Sequence, residues 1–464
     1  MKRILALCSF GLAAALPAFA ADLVGLWAER VNSVVAVEFF TETELDRRPS
    51  FSYGTVIDTQ GTVILPSAAV NPRATPAQLK DFRVYRPGRP VTAYHAGEYI
   101  GQDPLTDWHF IRIEPAGREG LVPITAYAGA KPGVPALAEE IWGIGLRKKD
   151  EDFAPYFLNG HVAMVQTIPR KTALATMDVT GPGLPVFNRQ GQFLGLGAVG
   201  FGQTFLMFSE RMRGGQGIVL IDSEECAAFL TAEEILPYLG RIPTEVHGRP
   251  WAWLGANGLE PVDPEVARFL KIEAQAGLVV SEVLEGSPAE KAGLQERDIL
   301  LALDGQPLPR LKPDAVVAAY VDNEITRRAP GTTLGLTVLR GTERVELTAT
   351  LEDGPLSPRE VERRYFEQLG LTIRAFTYGD GVNRRVKVAD HAGVIAHFVK
   401  PNTPISTAGL QTDDWIKEID GAEVRTFADA AEKLAAIQAD AARSEFVMLA
   451  SRGGETAVLR VKLK

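Results

Sequence analysis

Acyl transfer by a serine needs three groups in one place: a hydroxyl on a sharp glycine-flanked turn, an imidazole to take its proton, and a carboxylate to orient the imidazole. The chain offers them only in scattered form. Ser67 adjoins Ala68, Asp107 lies in Thr106-Asp107-Trp108-His109, and no serine nearby sits in a Gly-x-Ser-Gly elbow. His109 and His161 fall on predicted strands and read, like Ser67, as structural residues. The six histidines are scattered and Cys226 has no cysteine partner once Cys8 is removed with the leader, so no metal-ligand spacing is present. Gly214-Gly215-Gln216-Gly217 is too short and too poorly situated for a phosphate loop, and reads as a loop leading into the next strand. No metal or other cofactor is expected.

The elements that must position these residues are mainly strands. Between Val31 and Asp222 the chain alternates short apolar runs with turns: Val34 to Phe40, Gly54 to Asp58, Thr62 to Leu65, Trp108 to Ile113, Glu140 to Leu146, His161 to Ile168, Pro185 to Asn188, Phe193 to Val199 and Gly217 to Asp222. The turn Thr59-Gln60-Gly61 predicts a hairpin between the second and third of these. Many short strands with glycine-rich turns predict a sandwich or barrel. A helix over Thr231 to Leu239 would close the domain.

The rest of the chain repeats itself. Gly277 to Gly305 matches Gly393 to Gly421 at a constant offset of 116 residues. Each copy has a strand, a Pro-containing turn, a short helix ending in Ala-Gly-Leu, an Asp (Asp298, Asp414) before an apolar strand, and an Asp-Gly turn (Asp304-Gly305, Asp420-Gly421). Gly293 and Gly409 stand where a short helix ends and a left-handed residue is wanted, and Asp-Gly supplies a tight turn after a buried strand.

At 464 residues, 46% of them hydrophobic, the chain predicts three domains. Its 23% of charged residues, net charge of -9 and lack of any long Lys/Arg run argue against nucleic acid as partner. Lys2-Arg3, the apolar stretch from Ile4 to Leu16 and Ala18-Phe19-Ala20 predict a secretory signal peptide over residues 1–20 and a periplasmic or secreted mature protein. No run approaches a membrane span, and one remaining cysteine permits no intrachain disulfide.

The repeated pattern resembles PDZ domains of the bacterial periplasmic type. The resemblance implies that a loop before the first core strand offers N–H groups to a peptide's terminal carboxylate while the peptide adds a strand to the sheet edge. Trp253-Leu254-Gly255-Ala256 occupies that place in the first copy and Leu369-Gly370-Leu371 in the second. Helices over Pro313 to Arg327 and Phe427 to Ala439 would line the grooves, with Leu254, Val316 and Val317 as walls of the first pocket. Glu352 to Leu369, rich in charge at Pro358-Arg-Glu-Val-Glu-Arg-Arg, reads as a solvated helix or linker, and Gly240 to Pro250 as another hinge.

An exported trypsin-like barrel followed by two PDZ domains resembles the HtrA/Deg family of periplasmic serine proteases and chaperones. The fold class it implies is mostly β: a chymotrypsin/trypsin-like double β-barrel (21–242), then PDZ domains over 248–353 and 369–464 joined by a linker at 354–368. Residue by residue, the family's catalytic His falls on Ala68 in Gly61-Thr-Val-Ile-Leu-Pro-Ser-Ala68, its Asp on Asp107 in Thr106-Asp107-Trp-His-Phe-Ile-Arg-Ile113, and its Ser on Pro182 in Thr180-Gly-Pro-Gly-Leu-Pro-Val-Phe-Asn188. Asp107 alone is retained. Proline removes the hydroxyl and also the N–H that the nucleophile residue gives to the oxyanion hole. The expectation is a pseudoprotease acting as scaffold, regulator or chaperone in envelope protein quality control, with peptides or unfolded proteins as PDZ partners. The alternative is an active serine endopeptidase with misaligned catalytic residues. A holdase reading would use apolar loops such as Phe205-Leu-Met-Phe208, and the resemblance implies trimer-based homo-oligomers.

Overall fold

A computed structural model describes residues 23–463 except 73, 129–131, 168–169, 199–203, 209–216, 222–227 and 313, with backbone alone for 204–208 and 217–221. The predicted leader, Cys226 and Gly214 to Gln216 lie outside the described residues.

Six strands close the first barrel: β1 (Val34–Glu42), β2 (Arg47–Val56), β3 (Thr62–Leu65), β4 (Leu79–Tyr85), β5 (His95–Gln102) and β6 (His109–Ile113), in the order β1-β2-β3-β6-β5-β4. β1 is apolar almost throughout because both its faces are covered. Val34 and Ala36 enter one core cluster, while Val35, Val37 and Phe39 enter another, the two-residue alternation of a strand. The hairpin expected around Gly61 forms, with Thr55 opposite Ile64 and Val56 opposite Val63. Glu38, 3% exposed, interrupts the apolar run. It accepts from Lys149 Nζ at 2.7 and 2.8 Å and from Tyr85 Oη at 2.5 Å. Burial raises its pKa, but these donors outweigh burial and hold it below the usual carboxylate value.

The second barrel closes as β10-β11-β14-β9-β8-β7, from β7 (Glu140–Leu146), β8 (Pro155–Gln166), β9 (Thr172–Ala175), β10 (Pro185–Asn188), β11 (Phe193–Gly197) and β14 (Ala228–Thr231); β12 (Thr204–Phe208) and β13 (Gly217–Ile221) form a separate hairpin. The apolar segment 205–208 is therefore strand backbone, not loop. One core cluster joins the barrels: Val34, Ile64 and Phe110 from the first meet Leu184, Phe187 and Phe193 from the second. A helical turn at Ala232–Ile235, capped by the Thr231 hydroxyl accepting from the Glu234 N–H, continues as a 3-10 turn to Tyr238.

The two repeats fold alike. In both, Asp-Gly makes a two-residue hairpin with positive φ at each position (48° and 74° at 304–305, 53° and 75° at 420–421), as a type I′ turn requires. Asp298 accepts from the Gln295 N–H and two nitrogens of Arg340; Asp414 does the same with Gln411 and Arg452. The groove helices run Val316–Thr326 and Phe427–Ala439. Of the two readings of the segment between the repeats, solvated helix or linker, the helix is absent. Glu352–Asp353 pairs with Ala252–Trp253, and Arg363–Phe366 pairs with Leu371–Ala375 as a hairpin. Aromatic residues at 365 and 366, ahead of the turn at Leu369-Gly370, favour strand over the helix that the charges suggested. No helix among the described residues is long and apolar enough to cross a membrane.

Candidate functional site

Ala68 and Asp107 lie at the same end of the β3–β6 pair, and the turn holding Pro182 packs beside that end. β3 ends at Leu65, and the chain turns through Pro66 into the 3-10 turn Ser67–Ala69, closed by the Ala69 N–H on the Pro66 carbonyl at 2.9 Å. Ala68 and Ser67 are exposed there. Asp107 precedes β6, whose first residue, His109, lies opposite Leu65. The turn after Thr180 packs on Pro66: a Cβ on Gly183 would stand 3.0 Å from Pro66 Cδ.

That turn is closed by its own backbone hydrogen bonds. The Leu184 N–H donates to the Gly181 carbonyl at 3.1 Å, Pro182 is the second residue, and Gly183 has φ +73°, which is the type II pattern of proline then glycine. Pro182 has no N–H, and the next two are engaged, Gly183 with the Gly197 carbonyl at 2.8 Å and Leu184 within the turn. Thr55 Oγ1 donates to the Gly183 carbonyl at 2.7 Å and locks the loop to the first barrel. The Thr180 hydroxyl donates to the Ile144 carbonyl at 3.3 Å.

Asp107 adopts a left-handed φ of 58° and accepts from Gln102 Nε2 at 3.2 Å. Although the residue as a whole is exposed, crowding around the carboxyl raises its pKa through loss of hydration; the Gln102 hydrogen bond works the other way and Asp103 adds repulsion. It opens into a cavity of about 310 Å³ shared with Arg170, Glu234, Tyr320 and Asn323. His109 is 1% exposed, bonds Tyr99 Oη through Nδ1 at 2.9 Å, and is driven down to about 4 by burial, with the Arg359 cation adding to the effect. The imidazole is thus enclosed, held by Tyr99 and by a backbone hydrogen bond with Ser67. His161 lies exposed on β8.

The first repeat holds a second concave site, a cavity of about 420 Å³ lined by Trp251 to Asn257, Leu284, Ile325 and Thr326. Trp253, Leu254, Gly255 and Ala256 are all in its wall. Gly255 has φ +83°, and a Cβ there would come within 2.2 Å of Ser287, so the loop needs glycine. The loop is pinned by the Leu284 N–H on the Gly255 carbonyl at 2.9 Å and the Ala289 N–H on the Leu254 carbonyl at 2.8 Å. Val316 and Val317 do not line this cavity. Val317 is 2% exposed within the core and Val316 packs against it, because the helix turns that face inward. The helical wall is instead Asp322, Ile325 and Thr326, about two turns further on. Pro104 of the first barrel closes one side.

In the second repeat Gly370 has φ +70°, its carbonyl accepts from the Lys400 N–H at 2.8 Å, and a Cβ would strike Thr403, the counterpart of Ser287. Leu369 and Leu371 are buried in the core. Sequence reasoning missed the Arg340 and Arg452 anchors, which lie in later strands outside the matched repeat, and it missed Arg359, which joins the linker to the barrel.

Two closed six-stranded barrels sharing a core, followed by the repeated αβ units, define a trypsin-like double barrel carrying PDZ-type domains. The PDZ domain family model matches residues 279–327. The chain is 30% identical over 183 residues to the periplasmic pH-dependent serine endoprotease DegQ of Escherichia coli, covering 39% of this chain and 36% of that one. It is 28% identical over 152 residues to a probable periplasmic serine endoprotease DegP-like of Chlamydia trachomatis, covering 33% and 28%. These matches span about a third of the relatives' length. Among solved structures, the HtrA-type protease AlgWS227A with decapeptide superimposes with a TM-score of 0.52 at 16% identity, over 72% of this chain and 97% of the other. AlgW with tripeptide gives 0.50 at 19%, over 72% and 98%. In architecture and in these partial matches the chain is similar to proteins of the HtrA/DegP type.

Proposed function

We propose that this is an exported pseudoprotease: an HtrA/DegP-type barrel kept as a scaffold, whose first PDZ groove captures extended or C-terminal peptide segments in envelope protein quality control without cutting them. The Gly181-Pro182-Gly183-Leu184 turn carries this reading. It has neither hydroxyl nor free N–H at the aligned position, and Ala68 supplies no base. Loss of nucleophile or base costs on the order of 10⁶ in turnover, and an oxyanion donor about 10² to 10³ more where effects add. Periplasmic placement is supported by the leader pattern and the relatives' names. Capture is supported by the glycine loop beside an apolar cavity and by the peptides named with the similar AlgW structures.

The test is to incubate purified mature protein with casein and with a fluorophosphonate serine probe. Neither hydrolysis nor labelling is expected. Labelling at one defined serine, abolished by mutating it, would overturn the reading in favour of an active endopeptidase.

A further inference from the structure

The two repeats differ at the edge where a peptide would add. In the first, the residues before the glycine loop lead away and pair with Glu352–Asp353. In the second, they fold back: Arg363, Arg364, Tyr365 and Phe366 lie antiparallel to Arg374, Ile373, Thr372 and Leu371. The strand Leu371–Ala375 has Val394–Val399 on its other side, so this pairing takes its free edge. The added strand runs toward the glycine loop, as a captured peptide would run with its C-terminus there. The Gly370 N–H, at the place where a carboxylate would bind, donates instead to the Phe366 carbonyl at 2.8 Å. Phe366 is 1% exposed, in one cluster with Leu434 and Ile437 of the helix Phe427–Ala439, and the Gln368 N–H donates to Gln438 Oε1 of that helix at 3.2 Å.

We infer that residues 363–366 are the built-in ligand of the second PDZ-type domain, closing its groove to outside peptides and fastening it to the barrel. The fastening is visible upstream. Arg359 donates to the Ala74 carbonyl at 2.8 Å and to Oε1 of Gln102 at 2.6 Å, the residue that itself donates to Asp107. Glu360 pairs with Arg249, which also donates to the Gly354 and Pro355 carbonyls at 2.6 and 2.8 Å. Downstream, Thr372 Oγ1 donates to Glu44 Oε1 in the β1–β2 turn at 2.7 Å. Residues 359–366 thus tie barrel, first repeat and second repeat through one stretch of chain. This inference does not depend on peptide capture by the first groove.

The test is hydrogen exchange on the full chain with residues 362–366 replaced by five Gly/Ser residues. The amides of Leu371, Ile373 and Ala375, which face this strand, are expected to exchange at least about tenfold faster than in the native chain, and to be protected again by a synthetic peptide of residues 360–367. In the native chain, C-terminal peptides should leave their exchange unchanged. Unaltered exchange in the opened chain, no protection by the added segment, or protection of the native chain by C-terminal peptides would each overturn the inference. If the opened chain misfolds, Tyr365→Cys with Thr372→Cys decides. These directly opposed positions should oxidise to a disulfide in the folded chain with exchange at 371–375 unchanged, and failure to oxidise would contradict the pairing.

Discussion

Arg340 holds Asp298 with two hydrogen bonds of 2.9 and 2.8 Å while also donating to the Gly293 carbonyl at 2.8 Å, and Arg452 repeats all three contacts around Asp414 and Gly409. The repeated Asp and the repeated Ala-Gly-Leu are thus one device: the aspartate is 1% exposed in both copies, and its arginine also fixes the end of the short helix.

Arg340→Ala leaves the Asp298 carboxylate buried without its arginine, and should destabilise the first PDZ-type domain locally. Hydrogen exchange across residues 296–303 in the full chain reads this locally. Adding Asp298→Asn should recover part of the loss, since the unpaired charge is then gone. Exchange unchanged by Arg340→Ala would show that the pair contributes no stability.

Restoring the aligned side chains should not restore a protease. Ala68→His with Pro182→Ser rebuilds a side-chain triad on paper, but the Gly183 and Leu184 N–H groups stay engaged and Asp107 stays bonded to Gln102. Casein turnover should stay at least about 10²-fold below that of an active HtrA-type protease assayed beside it, the scale of one lost oxyanion donor. Comparable turnover would mean that only side chains had been lost.

Acid should weaken the fold through His109 and His397, each lowered to about 4, chiefly by burial, from an ordinary 6.5. A depressed histidine pKa means that the unfolded chain takes the proton first. The stability tied to the neutral form is complete above about pH 6.5, falls as pH drops, and levels off below about 4. For enclosed His109 the loss is up to roughly 3 kcal/mol. Thermal midpoints at pH 7.5 and 5.0 should differ less in His109→Gln than in the native chain. An equal difference would remove His109 as a source of the acid sensitivity.

Much of this was readable in the residues. β7 and β10 begin and end where their apolar runs do, and so does the helix Phe427–Ala439. The Asp-Gly hairpins follow from turn chemistry that is local in sequence. What was not legible depended on distant partners. Val316 and Val317 looked like groove walls because the helix was visible but its rotation was not, and core packing at Val317, Val321 and Ile325 sets that rotation. The Arg363–Phe366 strand was hidden by its charges, since a partner strand and a buried Phe366 outweigh the solvated helix that the composition favours. The Pro182 turn was found by alignment of motifs, but the engagement of its neighbouring N–H groups needs the Gly197 carbonyl, which only the barrel brings near.

Capture of a peptide C-terminus by the first groove is tested most directly by titrating the full chain with one fluorescent peptide ending in an apolar residue, as free acid and as amide. A charge-assisted hydrogen bond to the carboxylate is worth roughly 1.5 to 3 kcal/mol, so the acid should bind at least about tenfold more tightly. Gly255→Val, which would force a side chain into Ser287, should abolish that difference. Equal affinity of acid and amide in the native chain would contradict carboxylate capture at Gly255 and with it the central reading of the molecule.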